Sequence, residues 1–589
     1  MNKYKVTILP GDVLILVEEG TFLKEAFIGS GVDFEFPCGG MGLCKRCIVK
    51  IIKRNGKEED VLACQLKVED DLVVEISSRE ERHITILTEG IERRVMVDPL
   101  VKKVYLELPL PSLEDNRDDW ARLVRKEGIR PDLKVVQDLP EKLRESNFKV
   151  TAVVGDDKII GVESGDTSNR LLGMAFDIGT TTIAGYLVNL KTGEEIARVS
   201  SLNPQTKFGA DVISRIIFAS DTPGGLDKLH GEIINELNNL IEKAVNTAGF
   251  KVEDVYTLVV VGNTAMHHLF LKIPPGYLAR SPYVPAVAEP MIGDASDINI
   301  RINLGGKTFT FPNIAGFVGG DLVADALASE MDKAEKLKLL VDIGTNGEIM
   351  LGKEGKYLAC SAAAGPAFEG AQISCGMRGA SGAIAYVSLG EGECEYTVIG
   401  ETLPRGIAGS GLVDIIAELL KIGIVNKKGS MLEPDNIKSG PGKKYKDRII
   451  NMNGILSFVV AENTATGQPV YINQKDIREF QLAKGAIAAG IEILLNIYGA
   501  KVEDIDEVFL AGAFGNYLRP ERACRVGLVP QQLEGKIKGI GNAAGTGAKL
   551  AMLSTKEYER AIALARRTHY VELSAHPEFE RTFLNKLDF

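Results

Sequence analysis

Four cysteines near the amino terminus have the spacing of iron–sulfur ligands. Cys38, Cys44 and Cys47 lie together in PCGGMGLCKRC, and sixteen residues separate Cys47 from Cys64. Thiolates bind iron, and a [2Fe–2S] cluster takes four of them, often three from one loop and one from a distant strand. The glycines of this loop let the backbone wrap a cluster and direct N–H groups at its sulfur atoms. The spacing therefore predicts a [2Fe–2S] centre that transfers one electron at a time.

Zinc binding and disulfide bonding are the alternative uses of these thiols. Structural zinc sites usually have two short Cys pairs or mixed Cys/His ligands, whereas this segment has one short pair and no His pair. The first residues lack the apolar core of a secretory signal, so we expect a cytoplasmic protein with reduced thiols. The scattered distribution of the other cysteines fits that expectation: Cys360, Cys375, Cys394 and Cys524.

Length and charge limit the possible classes. The chain has 589 residues, which is too long for one hydrophobic core and suggests several domains. Its formal net charge is −11, which argues against nucleic acid as the main partner, because phosphate backbones require a basic face. No stretch approaches the length of uninterrupted apolar sequence that a membrane-spanning helix needs, so no membrane association is expected.

The patterning divides the chain into four parts. Residues 1–80 alternate short strands with one helix and the Cys loop, in the order of a β-grasp ferredoxin. Residues 81–98 are weakly patterned and are interpreted as a linker. Residues 99–170 predict a small α+β middle domain, with one helix near DDWARLVRKEG between two strands. Residues 171–589 predict a larger α/β unit with an internal duplication.

The duplication rests on two segments that end a buried strand in Asp-Ile-Gly-Thr. The aspartates are Asp177 and Asp342, and a second strand follows each turn. Glycine at the tip of such a hairpin lets backbone N–H groups approach phosphate oxygens, and threonine hydroxyls add donors. The aspartate can hold Mg²⁺ through water or orient an attacking water. Two facing turns would clamp a triphosphate from both sides. Phosphoryl transfer needs positioning and charge neutralisation above all, and such a clamp supplies both.

Two later glycine-rich elements strengthen this interpretation, namely FLAGAFGNYL (509–518) and GNAAGTGAKL (541–550). The first is suited to let an adenosine lie flat against the backbone. No G-x4-G-K-[ST] pattern is present, which disfavours P-loop chemistry. The segment Gly539 to Ala544 imitates a dinucleotide fingerprint, but the preceding LEGKIK is a poor buried strand, so a Rossmann site is disfavoured.

The order of these elements resembles the nucleotide-binding superfamily of sugar and acetate kinases, actin and the large heat-shock chaperones. Together with the N-terminal [2Fe–2S] module, essentially the whole chain resembles the reductive activators of corrinoid proteins. The resemblance implies a multidomain α+β and α/β protein with a β-grasp ferredoxin-like domain, a small middle domain and a duplicated, actin-like ATPase fold of two lobes.

The resemblance also implies a function. Members of this family return inactive cobalt from Co(II) to Co(I) at the expense of ATP, in a corrinoid subunit of a methyltransferase or in a corrinoid iron–sulfur protein. A plant-type [2Fe–2S] centre has a reduction potential of about −400 mV, and the potential of the corrinoid Co(II)/Co(I) couple is expected to be more negative. ATP can drive this uphill transfer only through differential affinity for two conformations. A low-potential electron donor and a possible homodimer are further expectations.

The implied roles transfer residue by residue. Cys38, Cys44, Cys47 and Cys64 would bind the cluster. The nucleotide with Mg²⁺ would be held by Asp177, Gly179, Thr180 and Thr181, by Asp342, Gly344, Thr345 and Asn346, and by Gly512, Ala513, Phe514 and Gly515.

Several further side chains have less definite expectations. Asp321 would orient water, with Asp325 as the competing residue, and Glu348 would reach Mg²⁺ or water unless it is only a hydrated surface group. Ser361, expected after a strand end, is a speculative contact to the corrinoid. His267 and His268 are adjacent on a helix and point about 100° apart, so both cannot readily face one cobalt, and at least one is expected to be packed or at the surface.

Three other functions remain open from the sequence. The first is a redox-sensing ATPase or kinase of the same superfamily, whose cluster regulates it without reducing cobalt. The second is an activator of a radical-type dehydratase, disfavoured because such activators hold the cluster on cysteines inside the ATPase fold. The third is a sugar kinase, for which no sugar-binding constellation is evident.

Overall fold

The computed structural model describes most of the chain. The described residues are 3–9, 13–30, 34, 47–52, 58–76, 90–124, 130–156, 158–370, 372–390, 392–400, 402–438, 440–512 and 517–589. Cys38, Cys44, Ala513, Phe514 and Gly515 lie outside them, so their predicted roles are not addressed by the structure.

Within its described residues, the first domain has a five-stranded sheet and one helix. Its strands occur in the spatial order β2-β1-β5-β3-β4, with β1 and β5 parallel. The elements are β1 (Lys3–Leu9), β2 (Val13–Glu18), α1 (Leu23–Ser30), β3 (Ile48–Ile52), β4 (Glu58–Leu62) and β5 (Leu72–Glu75). Alternate residues such as Val6 and Ile8 are buried against α1, as the period of a half-buried strand requires. The predicted hairpin and helix are confirmed.

The described part of the second domain has a three-stranded sheet, β6-β7-β8, and two helices. Its elements are β6 (Val101–Glu107), α2 (Asp119–Leu123), α3 (Leu133–Glu145), β7 (Lys149–Gly155) and β8 (Lys158–Ser164). The predicted helix near DDWARLVRKEG is confirmed as α2, which is only five residues long, whereas the longer helix α3 was not predicted. Pro140 lies inside α3 and masked its helical pattern, but burial of Val135, Leu139 and Leu143 stabilises it.

The two halves of the remaining chain repeat one topology. The first half has the sheet order β11-β10-β9-β12-β14-β13. Its elements are β9 (Leu172–Ile178), β10 (Thr182–Asn189), β11 (Glu195–Leu202), α4 (Val212–Asp221), α5 (Gly225–Ala248), β12 (Val255–Gly262), α6 (Thr264–Phe270), β13 (Ile292–Asp294), β14 (Lys307–Thr310) and α7 (Gly320–Ala328).

The second half has the sheet order β25-β24-β15-β16-β17-β26 and two small sheets, β19-β18-β20 and β21-β22-β23. Its strands are β15 (Lys338–Ile343), β16 (Gly347–Lys353), β17 (Lys356–Ala362), β18 (Ala383–Leu389), β19 (Cys394–Val398), β20 (Gly406–Ile407), β21 (Ile449–Met452), β22 (Ile455–Ala461), β23 (Val470–Asn473), β24 (Glu507–Ala511), β25 (Ile537–Gly541) and β26 (Thr568–Tyr570). Its helices are α8 (Gly409–Lys421), α9 (Gln474–Tyr498), α10 (Pro520–Arg525), α11 (Ala543–Leu553), α12 (Thr555–Arg567) and α13 (Phe579–Asn585).

In both halves an antiparallel hairpin starts the sheet and a parallel strand pairs with its first strand, β12 with β9 and β24 with β15. This correspondence confirms the predicted duplication. Helix α11 joins the halves by packing on α7 and the first sheet. A Cβ at Gly547 would lie 2.2 Å from the Ala324 oxygen, so glycine permits this close approach.

Helix α9 is long and apolar enough to cross a membrane, but 78% of its most apolar window is buried within the second half. This helix therefore forms part of a protein core.

Over its described residues, the segment interpreted as a linker is bonded to both halves. Gly90 pairs with Gly541, and Asp98 pairs with Ser554. Arg93 donates to the Leu327 carbonyl at the end of α7, at 2.8 Å. The chain that leaves the first domain is therefore bonded to elements that also form the cleft described below.

Candidate functional site

The first Asp-Ile-Gly-Thr segment forms a tight hairpin between β9 and β10. Gly179 N donates to the Thr182 oxygen at 2.9 Å. A Cβ at Gly179 would lie 2.8 Å from that same oxygen, so the turn has room for glycine only. Asp177 and Thr180 flank the turn, and both line a cleft between the two halves.

The second segment forms the corresponding hairpin between β15 and β16. Gly344 N donates to the Asn346 oxygen at 2.9 Å. Gly512, after β24, meets this hairpin with a φ of +88°, and its Cβ position would be 2.5 Å from Asp342 Oδ1. A side chain there would displace the aspartate, so glycine fixes the approach of β24 to the hairpin.

The cleft has a volume of about 250 Å³. All described residues that were predicted to bind the nucleotide with Mg²⁺ or to orient water line this cleft. They are Asp177, Gly179, Thr180, Thr181, Asp321, Asp325, Asp342, Gly344, Thr345, Asn346, Glu348 and Gly512. The two hairpins therefore meet at one cavity, as the duplicated pattern predicts. Asp321 and Asp325 both reach it from α7.

Burial of the carboxylates raises their affinity for protons. Desolvation raises the pKa of Asp177 from 3.8 to about 7, although a hydrogen bond from Asn542 opposes the shift. Burial and the neighbouring Asp342 charge raise the pKa values of Asp321 and Asp325, and burial raises that of Glu348. A cation entering the cleft would therefore displace protons, since ligation requires the charged carboxylates.

The oxygen atoms of the cleft fit a magnesium ion. Asp325 is 1% exposed, and its Oδ2 has no hydrogen-bond partner among the described residues. Within the same part of the chain, no three His, Cys, Asp or Glu side chains are placed to grip an ion directly. Mg²⁺ usually retains several waters and takes one or two carboxylates plus substrate phosphates. The arrangement suits an ion completed by water and phosphate.

Glu348 and Ser361 differ from their expected placements. Glu348 is 6% exposed and faces the cleft, so the alternative of a hydrated surface group was wrong. Ser361 lies within β17 and pairs in register with Glu348, so the expectation that it follows a strand end was also wrong. The strand extends to Ala362 because β16 pairs with it along its whole length.

Both histidines of α6 are packed in the interior. His267 lies within 3.2 Å of Thr310 Oγ1 and 3.3 Å of Asn313 Nδ2. His268 contacts the Thr264 oxygen and accepts from Ala286 N at 3.1 Å. All four ring nitrogens have polar neighbours, so the expectation that at least one of these rings is packed is confirmed, and it holds for both.

Sequence reasoning missed several side chains of the cleft, Asn542, Glu369 and Arg378 among them. Asn542 donates to Asp177 Oδ2 at 2.8 Å and caps α11 by accepting from Gly545 N. Glu369 and Arg378 come from the segment GPAFEGAQISCGMRG and line the same cavity. An asparagine before a helix is a recognisable N-cap, but no local signal predicts that Glu369 or Arg378 faces the hairpins.

The sequence LEGKIK is not a buried strand, as expected, because its first four residues lie in a short helical turn, Gln531–Lys536, and only its last two begin β25. Residues Ile537–Gly541 form β25, because backbone pairing with β24 holds them at the sheet edge. The following turn contributes Asn542 and Ala544 to the hairpin cleft. The glycine-rich segment therefore belongs to this cavity.

The described cysteines of the first domain lie together. Cys47 and Cys64 are 2% and 4% exposed, and their sulfur atoms are 3.1 Å apart. This distance exceeds a disulfide bond of about 2.05 Å. Two adjacent, shielded thiols at the end of the Cys loop fit the ligands of an iron–sulfur cluster.

Family models account for nearly the whole chain. They match a "2Fe-2S iron-sulfur cluster binding domain" at 6–69, the "RACo linker region" at 90–169, the "RACo middle region" at 172–334 and the "C-terminal domain of RACo the ASKHA domain" at 336–589. These matches confirm the predicted [2Fe–2S] cluster and the ATPase fold, with ATP and Mg²⁺ as the implied ligands.

Individual relatives agree with these family matches. The corrinoid activation enzyme RamQ of Eubacterium limosum is 36% identical over 96% of both chains. A [Co(II) methylated amine-specific corrinoid protein] reductase of Methanosarcina barkeri is 25% identical over 71% of this chain and 77% of its own. A solved reductive activator for corrinoid, iron–sulfur protein is 35% identical with a TM-score of 0.77, over 100% of this chain and 98% of its own. The chain therefore belongs to the RACo family of reductive activators of corrinoid proteins.

Proposed function

We propose that this protein uses ATP to drive the transfer of one electron from its [2Fe–2S] cluster to the cobalt of a corrinoid protein, which is reduced from Co(II) to Co(I). The observation that supports this most is the convergence of two Asp-Gly-Thr hairpins on one carboxylate-lined cleft, in a chain with a thiolate cluster motif. The names of the relatives support a corrinoid protein as the partner.

The proposed roles within the cleft follow from its geometry. The backbone N–H groups of Thr180, Thr181, Thr345 and Asn346, the threonine hydroxyls and the Asn346 side-chain amide would donate to the phosphate oxygens. Asp177 and Asp342 would hold Mg²⁺, in part through water, while Asp321 or Asp325 and Glu348 would orient water. Gly512, together with Ala513, Phe514 and Gly515, would border the adenosine. Bound Mg²⁺ supplies positive charge that neutralises the phosphates and lowers the carboxylate pKa values.

The proposed electron path begins in the first domain. Cys38, Cys44, Cys47 and Cys64 would bind the cluster, which supplies one electron at low potential. The close approach of Cys47 and Cys64 suggests that these two share one iron. A low-potential donor would reduce the cluster.

The bonds that residues 90–98 make to both halves provide a connection between nucleotide and cluster. Gly90 pairs with the end of β25, and Arg93 bonds the end of α7. Asn542, which directly follows β25, and Asp321 of α7 both line the cleft. A change of lobe position on ATP binding would therefore move the chain that leads to the first domain.

We further propose a domain division at 1–80, 81–98, 99–170 and 171–589, a cytoplasmic location and a homodimer. The partner would be a methyltransferase corrinoid subunit or a corrinoid iron–sulfur protein.

The function is tested by following cobalt reduction with anaerobically reconstituted protein. Chemically reduced protein is mixed with each type of Co(II) corrinoid protein, with and without Mg²⁺ and ATP, and Co(I) is measured by its visible absorption. We expect Co(I) to accumulate with ATP only. Equal extents and rates without ATP would contradict the ATP-driven step, and no Co(I) with either partner would favour a redox-sensing ATPase.

A further inference from the structure

Glu369 connects the two hairpins across the cleft. Its Oε2 accepts a hydrogen bond from Thr181 Oγ1 at 2.6 Å, and its Oε1 accepts one from Thr345 Oγ1 at 2.5 Å. Thr181 belongs to the first half of the ATPase unit, whereas Thr345 and Glu369 belong to the second. One carboxylate therefore joins the two turns that are expected to hold phosphate.

The second half holds Glu369 in a fixed position. The residue ends a short helical turn, Pro366–Glu369, and the preceding Phe368 is 1% exposed against Phe480, with ring centroids 5.5 Å apart. Gly370 follows with a φ of +75°, and a Cβ there would lie 2.5 Å from Met377 N. Packing of the residues before and after Glu369 holds it in the second half. Its connection to the first half is therefore mainly the hydrogen bond from Thr181.

The carboxylate offers an acceptor pattern similar to that of a phosphoryl group. A carboxylate presents two partly negative oxygens on one central atom and a terminal phosphoryl group presents three, and both accept short hydrogen bonds from hydroxyl donors. The Thr181 and Thr345 hydroxyls are already committed to Glu369. A phosphate that accepts from both must break these bonds, and two anions in one place also repel each other.

We propose that Glu369 occupies the place of a phosphoryl group between the hairpins in the nucleotide-free protein and is displaced when a nucleoside triphosphate binds. This inference rests on the proposed ATP site. Glu369 is then a positioning residue that holds the halves in one arrangement until phosphate replaces it. Nucleotide binding breaks the Thr181 bond and thereby frees the halves to take a second arrangement. The nucleotide then interacts differently with the two arrangements, as an ATP-driven conformational change requires.

The test compares Glu369→Gln with the wild type in the full-length, cluster-containing protein. Glutamine has nearly the same shape but lacks the charge, so it competes less with phosphate. Binding of a non-hydrolysable ATP analogue is measured by calorimetry, with Mg²⁺ and with EDTA. We expect about tenfold tighter binding in both conditions, equivalent to 1.4 kcal/mol. Glu462→Gln, an exposed charge change in the same half, should leave the affinity unchanged.

Hydrogen exchange supplies a second measurement. Without nucleotide, the amides around Thr181 should exchange faster in Glu369→Gln, whereas with saturating analogue the variant and wild type should match. Unchanged or weaker affinity in the variant would overturn the inference, and weakening confined to the Mg²⁺ condition would identify Glu369 as a metal ligand instead. Failure of the wild type itself to bind the analogue would overturn the proposed ATP site, and the inference with it.

Discussion

Replacement of Asp177 by asparagine is expected to stabilise the nucleotide-free protein while abolishing its response to ATP. Asp177 is held at the end of β9, where it accepts a hydrogen bond from Asn542 at 2.8 Å. An asparagine oxygen can accept the same bond. The substitution therefore removes a desolvated charge without leaving the Asn542 amide unpaired, and it removes a proposed Mg²⁺ ligand.

The expected magnitude follows from the pKa of Asp177, which burial raises from 3.8 to about 7. A tenfold change in proton affinity is worth 1.36 kcal/mol, so ionised Asp177 costs the folded protein at most about 4 kcal/mol above pH 7. Because the folded protein binds this proton more tightly, its stability falls as the pH rises from about 4 to about 7. The asparagine variant lacks this loss, and after allowance for desolvation of the amide we expect about 2 kcal/mol in its favour at pH 8.

The assay is urea unfolding followed by circular dichroism, in EDTA and without nucleotide. The advantage of Asp177→Asn should grow by about 1–2 kcal/mol between pH 5.5 and pH 8. The exposed substitution Asp297→Asn should show no such trend. A variant that is less stable than the wild type at pH 8, or an advantage that does not depend on pH, would refute the assignment of a costly buried charge to Asp177.

Three further substitutions test other parts of the site. Gly512→Ala should destabilise the protein by about 2–4 kcal/mol in thermal unfolding, because its φ is +88° and its Cβ would lie 2.6 Å from the Ile343 oxygen; an unchanged melting temperature would contradict this. Arg378→Ala should weaken triphosphate binding at least tenfold in calorimetry, since it is the sole Lys or Arg among the described residues that line the cleft, and Arg378→Lys should recover part of the loss; equal affinities would exclude the contact. Cys64→Ser should lose the visible absorption of the cluster yet bind nucleotide normally, and retained absorption would remove Cys64 from the ligand set.

The sequence predicted those parts of the site that depend on local pattern. Each Asp-Ile-Gly-Thr turn contains its own evidence, because a buried strand, a glycine at the tip and a following strand are adjacent in the chain. The duplication then required the two turns to occupy equivalent positions, which placed Asp177 and Asp342 at one cleft. The Cys loop was recognisable for the same reason, since three of its four thiols lie within ten residues of one another.

The remaining parts depend on contacts between distant segments. Glu369 reaches Thr181 across 188 positions of sequence, and Asn542 reaches Asp177 across 365. No periodicity or spacing encodes such pairs. The helix Leu133–Glu145 was missed for a different reason, because Pro140 lowers its intrinsic propensity and only the packing of its apolar face against β7 and β8 compensates.

The most direct test of the account is to follow cluster oxidation and loss of Co(II) in the same anaerobic reaction by electron paramagnetic resonance. Reduced protein is mixed with its Co(II) corrinoid partner, and Mg²⁺ with ATP is then added. We expect the signals of the reduced cluster and of Co(II) to remain before ATP is added and to disappear together afterwards, with one Co(II) lost for each reduced cluster. Loss of Co(II) without oxidation of the cluster, or before ATP is added, would contradict the account.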